Sequence, residues 1–383
     1  GQLCGSAAPG GYAFQGIGYA APPTGDRRWR APGSAPSWSG IRSARAPGSA
    51  CPQDIPILST RIGNEDCLYL NVRTPDPTPA TLAPVMVWIH GGGFTSGDGR
   101  QYIGSTDGGE IVRTAGLVVV SINYRLGPLG FLAHPGLSQE DDAHPSSGNY
   151  GIEDQIAALT WVRDHIAAFG GDPQQVTIFG ESAGGWSVCC HLASARSTGL
   201  FRRAIVQSGI CAIPMSTLAA SEAQGDTFAA RAGCGGTDTE IIACLRQKTT
   251  TEVLAALPPD PNFAFTPGTW GAYQPINDGY VFAEELRDSF AAGRINPVPV
   301  MLGSNREEGT FFVILSHDNL GTPLLASQYP ARLAALMPSA AATAALTHYP
   351  LANYSVPGAA LADAVGAGLL ACPTIKTAHA LAP

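Results

Sequence analysis

Charged residues are scarce in this sequence, and basic residues form no cluster. Only 14% of the 383 residues are charged, and the 30 acidic residues outnumber the 22 lysines and arginines, which gives a formal net charge of −8. An average soluble domain has about 25% charged residues. Because nucleic acids are bound by clustered lysine and arginine side chains, the composition predicts no nucleic-acid partner.

Two further patterns are missing from the sequence. The longest apolar runs, such as Leu117–Ile122, are far shorter than the roughly 20 residues that a membrane-spanning helix requires, so no membrane span is predicted. Neither a CxxC nor an HxxxH pair occurs. Such spacings are typical of zinc ligands, so no metal site is predicted either.

Cysteine, in contrast, is abundant, with nine residues in the chain. Two pairs are close in sequence, Cys51 with Cys67 and Cys234 with Cys244. Closing a loop of about 15 residues with a disulfide stabilises a fold by roughly 3 kcal/mol, provided that the compartment is oxidising. We therefore favour a secreted or extracellular protein with disulfides over a cytosolic protein with nine buried thiols.

The chain changes character near residue 85. The first 80 residues are rich in Pro, Gly, Ser and Arg, which predicts surface loops that wrap a core. Val85–Ile89 and Leu117–Ile122 are short apolar runs, typical of strands buried on both faces of a parallel sheet. Between residues 149 and 169 apolar residues recur at steps of three and four, which predicts an amphipathic helix ended by the pair Gly170-Gly171.

The following segments continue the alternation of strands and helices. Such alternation predicts an α/β domain with a mostly parallel central sheet and helices on both of its faces. We expect residues 1–383 to form a single domain, in which the segment 212–297, with its helix and loop patterns, forms a cap. The predicted strands are Val176–Phe179, Ala204–Gln207 and Val298–Gly303, and the predicted helices are Ala183–Leu192 and 338–346.

Small residues are crowded around Ser182. The run Gly180–Gly184 matches the G-x-S-x-G pattern, and it lies between a predicted strand and a predicted helix. In that context the serine occupies a sharp, strained turn, and a side chain at Gly180 or Gly184 would collide with a neighbouring strand or helix. We therefore interpret Ser182 as a nucleophile and not as an ordinary turn serine.

A second glycine-rich stretch, Trp88–Phe94, follows a predicted strand directly. The N–H groups of Gly92 and Gly93, with that of Ala183, can hold the negative oxygen of a tetrahedral intermediate. A glycine triplet alone would indicate only a flexible turn, but this one precedes a serine motif. His90 is a candidate base, although its place directly before this loop favours a role in holding the loop through hydrogen bonds.

Several longer motifs extend over nearly the whole chain. In them the sequence resembles the type-B carboxylesterases, the branch of the α/β-hydrolases that includes the cholinesterases. Gly18 stands in the first motif where that family usually has proline. The motifs are Phe14–Ala20, Glu65–Val72, Asn123–Phe131, Gly148–Gly185, Gln207–Gly209 and Gly303–Phe312.

The resemblance implies an α/β-hydrolase fold, a catalytic triad and no metal or organic cofactor. The motif alignment favours Glu308 over the adjacent Glu307 as the triad acid, and the two cysteine pairs named above align with disulfides of the family. The residues that the resemblance places at the site are the nucleophile Ser182, the acid Glu308, the oxyanion-hole residues Gly92, Gly93 and Ala183, and the supporting residues Glu181 and Ser208.

The base of the triad is not identifiable in the sequence. The family places a histidine after the acid, in an aromatic-rich strand context that none of the three later histidines, His317, His348 and His379, shares. The stretch around Cys372 resembles one that precedes the family histidine, and Cys372 lacks the partner expected from the family. We therefore expect the chain to be truncated at its C-terminus and to be impaired as an enzyme in this form.

These observations predict a serine esterase that hydrolyses small uncharged esters through an acyl-enzyme. A choline-ester hydrolase is one alternative. That branch presents a tryptophan to the cation from the loop closed by the first disulfide, but Pro52–Asp66 contains no aromatic residue. A lipase is another alternative, and a non-catalytic adhesion or binding protein of the same fold is a third, although such relatives typically lose the serine.

Overall fold

The structure is a computed structural model, and it describes residues 1–55, 60–100, 108–257, 273–314 and 321–382. Its strands are β1 (Gln2–Cys4), β2 (Ser6–Ala8), β3 (Gly11–Gly18), β4 (Ile41–Ser43), β5 (Gln53–Ile55), β6 (Thr60–Ile62), β7 (Tyr69–Thr74), β8 (Ala83–Ile89), β9 (Val118–Ile122), β10 (Gly171–Glu181), β11 (Arg203–Gln207) and β12 (Val300–Gly303). Its α-helices are α1 (Gly109–Ala115), α2 (Gly127–Phe131), α3 (Pro135–Ser138), α4 (Tyr150–His165), α5 (Ala183–Ala193), α6 (Leu218–Arg231), α7 (Asp238–Gln247), α8 (Thr250–Ala255), α9 (Leu286–Ala291), α10 (Glu308–Val313), α11 (Tyr329–Leu336), α12 (Ser339–His348), α13 (Pro357–Gly366) and α14 (Cys372–Leu381).

Eight strands form the central sheet, in the order β12-β11-β10-β8-β9-β7-β3-β2. The five strands from β12 to β9 are parallel, whereas β7, β3 and β2 are added antiparallel. All five residues of β9 are buried, as expected for a strand covered on both faces. The prediction of a mostly parallel sheet is confirmed, although its last strand begins at Val300 and not at Val298.

The prediction for the first 80 residues was wrong. Three strands from this region, β2, β3 and β7, join the central sheet and do not form surface loops around it. In β7 the side chains of Leu70, Val72 and Thr74 are buried, and they alternate with half-buried neighbours. Such alternation is typical of an antiparallel strand with one covered face, and the surrounding Pro, Gly and Ser residues obscure it in the composition.

The helix predicted between residues 149 and 169 is present. It consists of α4 and a short 3₁₀ turn, Ile166–Phe169, and it ends at Gly170. Gly170 has φ 81°, a left-handed conformation that glycine adopts at the lowest cost. The next glycine, Gly171, begins β10, which leads the chain straight back into the sheet.

The carboxyl ends of four parallel strands meet at one edge of the sheet. Ile89 of β8 lies beside Gly180 of β10, Glu181 lies beside Gln207 of β11, and Gln207 lies beside Gly303 of β12. Loops that follow these strand ends therefore converge in space, although they are far apart in the sequence. In open α/β sheets this edge is where ligands bind.

The helices after β12 build a second apolar core. Val313 of α10, Leu333 of α11, Ala342 of α12 and Leu361 of α13 are all buried within it. The run Pro357–Leu381 is one continuous helix of 25 residues with a mean hydropathy of 1.5, long and apolar enough to cross a membrane. Half of its most apolar stretch is buried against the protein, as in core helices of soluble proteins, so it is weak evidence for a membrane span.

Candidate active site

Ser182 lies at the sharp turn between the end of β10 and the start of α5. Its backbone adopts φ 56° and ψ −121°, values that non-glycine residues rarely take. Its N–H donates to the carbonyl oxygen of Gln207 at 2.9 Å, which ties the turn to the end of the neighbouring strand β11. The strained turn that the motif predicted is therefore present.

The glycines on either side of Ser182 permit a very close approach of three backbone segments. A Cβ on Gly180 would lie 2.5 Å from the backbone of Gly184, and a Cβ on Gly184 would lie 2.0 Å from the carbonyl oxygen of Ile89. Neither contact is sterically possible, because the colliding atoms belong to the backbone. The predicted reason for these glycines is therefore seen directly in the packing.

The glycine loop, Gly91–Gly97, follows β8 and lies against the serine. A Cβ on Gly91 would be 3.1 Å from Cβ of Ser182. Gly92 and Gly93 have φ values of 106° and 63°, and the carbonyl oxygen of Gly92 accepts from the backbone N–H groups of residues 95 and 96 at 3.0 Å. Within the described part of the chain, no hydrogen bond is donated by the backbone N–H of Gly92 or Gly93, so both remain available to a ligand.

His90 is buried behind the glycine loop, with only 1% of its surface exposed. Its Nδ1 donates to the carbonyl oxygen of Gly91 at 2.8 Å, and its ring stacks on Tyr124 with 4.3 Å between the centroids. Burial lowers the pKa of His90 to about 4, so the ring is neutral near pH 7. These contacts fit a residue that holds the loop and not one that carries protons to and from Ser182.

Glu308 opens α10 and points its carboxylate at the end of β11. Its Oε1 accepts from the hydroxyl of Ser208 and from the backbone N–H of Asn305 at 2.6 Å. Ser208 has φ 50° and follows directly after Gln207, whose carbonyl holds Ser182. Glu307, the other acid weighed from the sequence, is exposed.

Glu181 places a second carboxylate beside Ser182. A Cβ on Gly91 would lie 3.0 Å from its Oε2, so this acid borders the glycine loop. Burial, with a smaller contribution from the negative charge of Glu308, raises the pKa of Glu181. The residue as a whole still reaches solvent, which limits the size of this effect.

Comparisons with known proteins agree with this geometry. The model of the carboxylesterase family matches residues 1–382. The chain belongs to the carboxylesterase family. Its fold is accordingly the α/β-hydrolase fold, and the predicted resemblance is confirmed.

Two relatives from distant organisms are similar to this carboxylesterase-family chain. A fumonisin B1 esterase from Sphingopyxis macrogoltabida is 41% identical over 307 residues, which are 78% of this chain and 53% of that protein. An acetylcholinesterase from Danio rerio is 39% identical over 321 residues, which are 79% of this chain and 48% of that protein. The chain thus spans about half the length of these relatives.

The described residues include no histidine in the position of a triad base. Among the residues that it describes, no histidine forms a hydrogen bond with Ser182 or Glu308. His348 ends α12 and His379 lies in α14, and both are exposed. His317 lies outside the described residues.

Six of the cysteines form disulfides. The structure pairs Cys51 with Cys67 and Cys234 with Cys244, and it adds a third bridge between Cys189 and Cys211. Sequence reasoning missed the third bridge, because a separation of 22 residues gives no local signal. In the described chain the thiols of Cys4, Cys190 and Cys372 are free, and no group of three or more His, Cys, Asp or Glu residues could hold a metal ion.

Proposed function

We propose that this protein is a serine carboxylic-ester hydrolase. The observation that carries the proposal is the backbone of Ser182, which is strained at a strand-to-helix turn and packed against the glycine loop. Ser182 Oγ attacks the ester carbonyl, and the alcohol leaves as an acyl-enzyme forms. Water then attacks the acyl-enzyme and releases the acid. Membership of the carboxylesterase family supports this chemistry.

The negative oxygen of each tetrahedral intermediate is held by backbone N–H groups. Those of Gly92 and Gly93 are free in the described structure, and that of Ala183 is the first in α5, where no intrahelical acceptor exists. The positive end of the α5 dipole lies at the same place. Removing one such donor costs about 3 kcal/mol of transition-state stabilisation, so these three N–H groups supply a large share of the catalysis.

Glu308 serves as the acid that orients the catalytic histidine. Its carboxylate is held by Ser208 and Asn305, so it keeps a defined position without a neutralising cation. Glu181, whose pKa is raised by burial, directly precedes Ser182, and its Oε2 borders the glycine loop. Ser208 and Glu181 thus support the acid and the nucleophile, respectively.

Small uncharged esters are the substrates that we infer. The loop closed by the first disulfide, Pro52–Asp66, has no aromatic side chain, and a desolvated cation–π contact to a choline ester is worth about 2 kcal/mol. The two relatives named above are a fumonisin B1 esterase and an acetylcholinesterase, and their identities to this chain are nearly equal. The inference therefore rests on the loop and not on sequence identity. A clear preference for butyrylthiocholine over a neutral thioester of the same size would contradict this inference.

Export to an oxidising compartment follows from the same set of observations. Three disulfides form within the described chain, and such bridges persist outside the cytosol. We infer that the protein is secreted or extracellular. We also infer that the chain is one hydrolase domain, with α6 to α9 of the segment 212–297 forming a cap.

Replacing Ser182 with alanine tests the proposed activity. In the protein expressed from its complete gene, we expect Ser182→Ala to lower kcat on p-nitrophenyl butyrate by on the order of 10⁶ while the melting temperature stays unchanged. Ser339→Ala, at an exposed position in α12, is the matched control and should keep full activity. A Ser182→Ala protein that retains more than about one per cent of the activity would rule out this nucleophile.

A further inference from the structure

A buried amide side chain forms hydrogen bonds with Gly97, the last residue of the glycine loop. Gln53 lies in β5, two residues after Cys51, and only 2% of its surface is exposed. Its Nε2 donates to the carbonyl oxygen of Gly97 at 2.9 Å, and its Oε1 accepts from the N–H of Gly97 at 2.7 Å. The same Nε2 donates to the carbonyl oxygen of Cys51 at 3.0 Å. One side chain therefore joins the loop to a half-cystine of the first disulfide.

Gly97 packs so closely against His90 and Gly91 that a side chain at this position would not fit. Its φ is 109°, and a Cβ there would lie 2.4 Å from Nδ1 of His90 and 2.6 Å from the carbonyl oxygen of Gly91. Its neighbour Ser96 donates its N–H to the carbonyl oxygen of Gly92 at 3.0 Å. Because close-packed backbone atoms transmit displacement, a shift of Gly97 reaches Gly92 with little loss.

We propose that Gln53 is a positioning residue for the oxyanion hole, acting through Gly97 on the N–H groups of Gly92 and Gly93. The proposal rests on the function proposed above. Oxyanion donors stabilise the transition state only when they are already in place, about 2.7–3.1 Å from the developing charge. A loop of glycines cannot hold such a position by itself, because glycine backbones are conformationally permissive. The two hydrogen bonds between Gln53 and Gly97 constrain the end of the loop that His90 does not hold.

A second buried amide provides a matched control. Asn149 is also 2% exposed, and its side chain pairs with the backbone of Ile276 in the same two-bond manner. Its Nδ2 donates to the carbonyl oxygen of Ile276 at 2.9 Å, and its Oδ1 accepts from the N–H of Ile276 at 3.0 Å. The chemistry and burial match those of Gln53, but the backbone that is held lies outside the glycine loop.

The test compares Gln53→Glu with Asn149→Asp in the protein expressed from its complete gene. Each change keeps one acceptor and replaces the N–H₂ donor with an oxygen that faces a carbonyl, so both variants should lose a similar amount of thermal stability. We expect Gln53→Glu to lower kcat on p-nitrophenyl butyrate by at least about ten-fold with KM changed less than about three-fold. Asn149→Asp should keep kcat within about two-fold of the wild-type value.

A second readout separates positioning from general loosening of the fold. A trifluoromethyl ketone forms an adduct with the serine that carries a negative oxygen, so its affinity depends on the oxyanion donors. Its affinity for Gln53→Glu should fall in proportion to kcat/KM, and its affinity for Asn149→Asp should stay unchanged. If Gln53→Glu does not fold, Gln53→Met, which adds no buried charge, takes its place.

The outcomes distinguish this inference from the proposed function. An inactive wild-type protein would overturn both. An active wild-type protein whose Gln53 variants keep their kcat and their affinity for the ketone, while losing stability as Asn149→Asp does, would overturn the positioning role alone.

Discussion

Replacing Gly309 with alanine tests how closely α10 packs on α13 next to Glu308. Gly309 is buried directly after Glu308, and a Cβ there would lie 1.8 Å from the carbonyl oxygen of Ala362 in α13. The opposing helix contributes Gly366, where a Cβ would lie 2.9 Å from the backbone nitrogen of Gly309. The two helices therefore meet backbone to backbone at the residue that follows Glu308.

The magnitude follows from the two opposing effects of the added methyl group. Overpacking a tight contact costs about 1–3 kcal/mol, and the upper end applies because the colliding backbone oxygen cannot rotate away. Alanine in a helix gains up to about 1 kcal/mol over glycine. We therefore expect Gly309→Ala to lower the free energy of unfolding by about 2 kcal/mol.

Gly368 provides the control. It lies in the continuous helix Pro357–Leu381, whose first part, α13, packs against α10. It is exposed, and a Cβ there would meet nothing within 4 Å, so Gly368→Ala should raise the free energy of unfolding by up to about 1 kcal/mol. Urea unfolding followed by tryptophan fluorescence should separate the two variants by roughly 3 kcal/mol. Equal stability of the two variants would show that α10 and α13 do not pack as closely as described.

Two further predictions concern the thiols and the buried histidines. Peptide mapping of the folded 383-residue chain should find Cys372 alkylated rapidly and Cys190 only after unfolding, because the first thiol is exposed and the second is buried; rapid alkylation of both would contradict the burial of Cys190. Burial lowers the pKa of His90 to about 4 and that of His191 to about 3, below the ordinary value near 6.5. Between pH 6.5 and about 4 the unfolded chain binds protons that the folded chain does not. The free energy of unfolding should therefore decrease as the pH is lowered through this range. His191→Gln should lose part of that slope in urea titrations at successive pH values, and a slope as steep as in the wild type would contradict the assignment.

The strained turn at Ser182, the proposed nucleophile, could be predicted from the sequence because its constraints are local. The strand before Ser182, the helix after it and the glycines at 180 and 184 all lie within one short segment. Their steric reason needs only the geometry of a sharp turn. The strands β8 and β9 could also be predicted from the sequence, because burial on both faces leaves an uninterrupted apolar run.

Composition gave a wrong prediction for the strands that are covered on only one face. The strands β3 and β7 lie among Pro, Gly and Ser residues, and only every second side chain of β7 is buried. The register that places β7 between β3 and β9 is set by partners elsewhere in the chain. A strand of this kind becomes evident only when its neighbours are in place.

The sequence by itself determined the sharp turn at Ser182, the glycine loop and the alternating order of strands and helices, because each depends on residues that are neighbours in the chain. Motif resemblance added Glu308 and Ser208, which are 100 residues apart. Only the tertiary structure decided that Gln53 forms hydrogen bonds with Gly97 and that Gly309 packs closely against the backbone of Ala362. Contacts of that kind depend on how distant segments pack, and a single sequence carries no periodicity or spacing that records them.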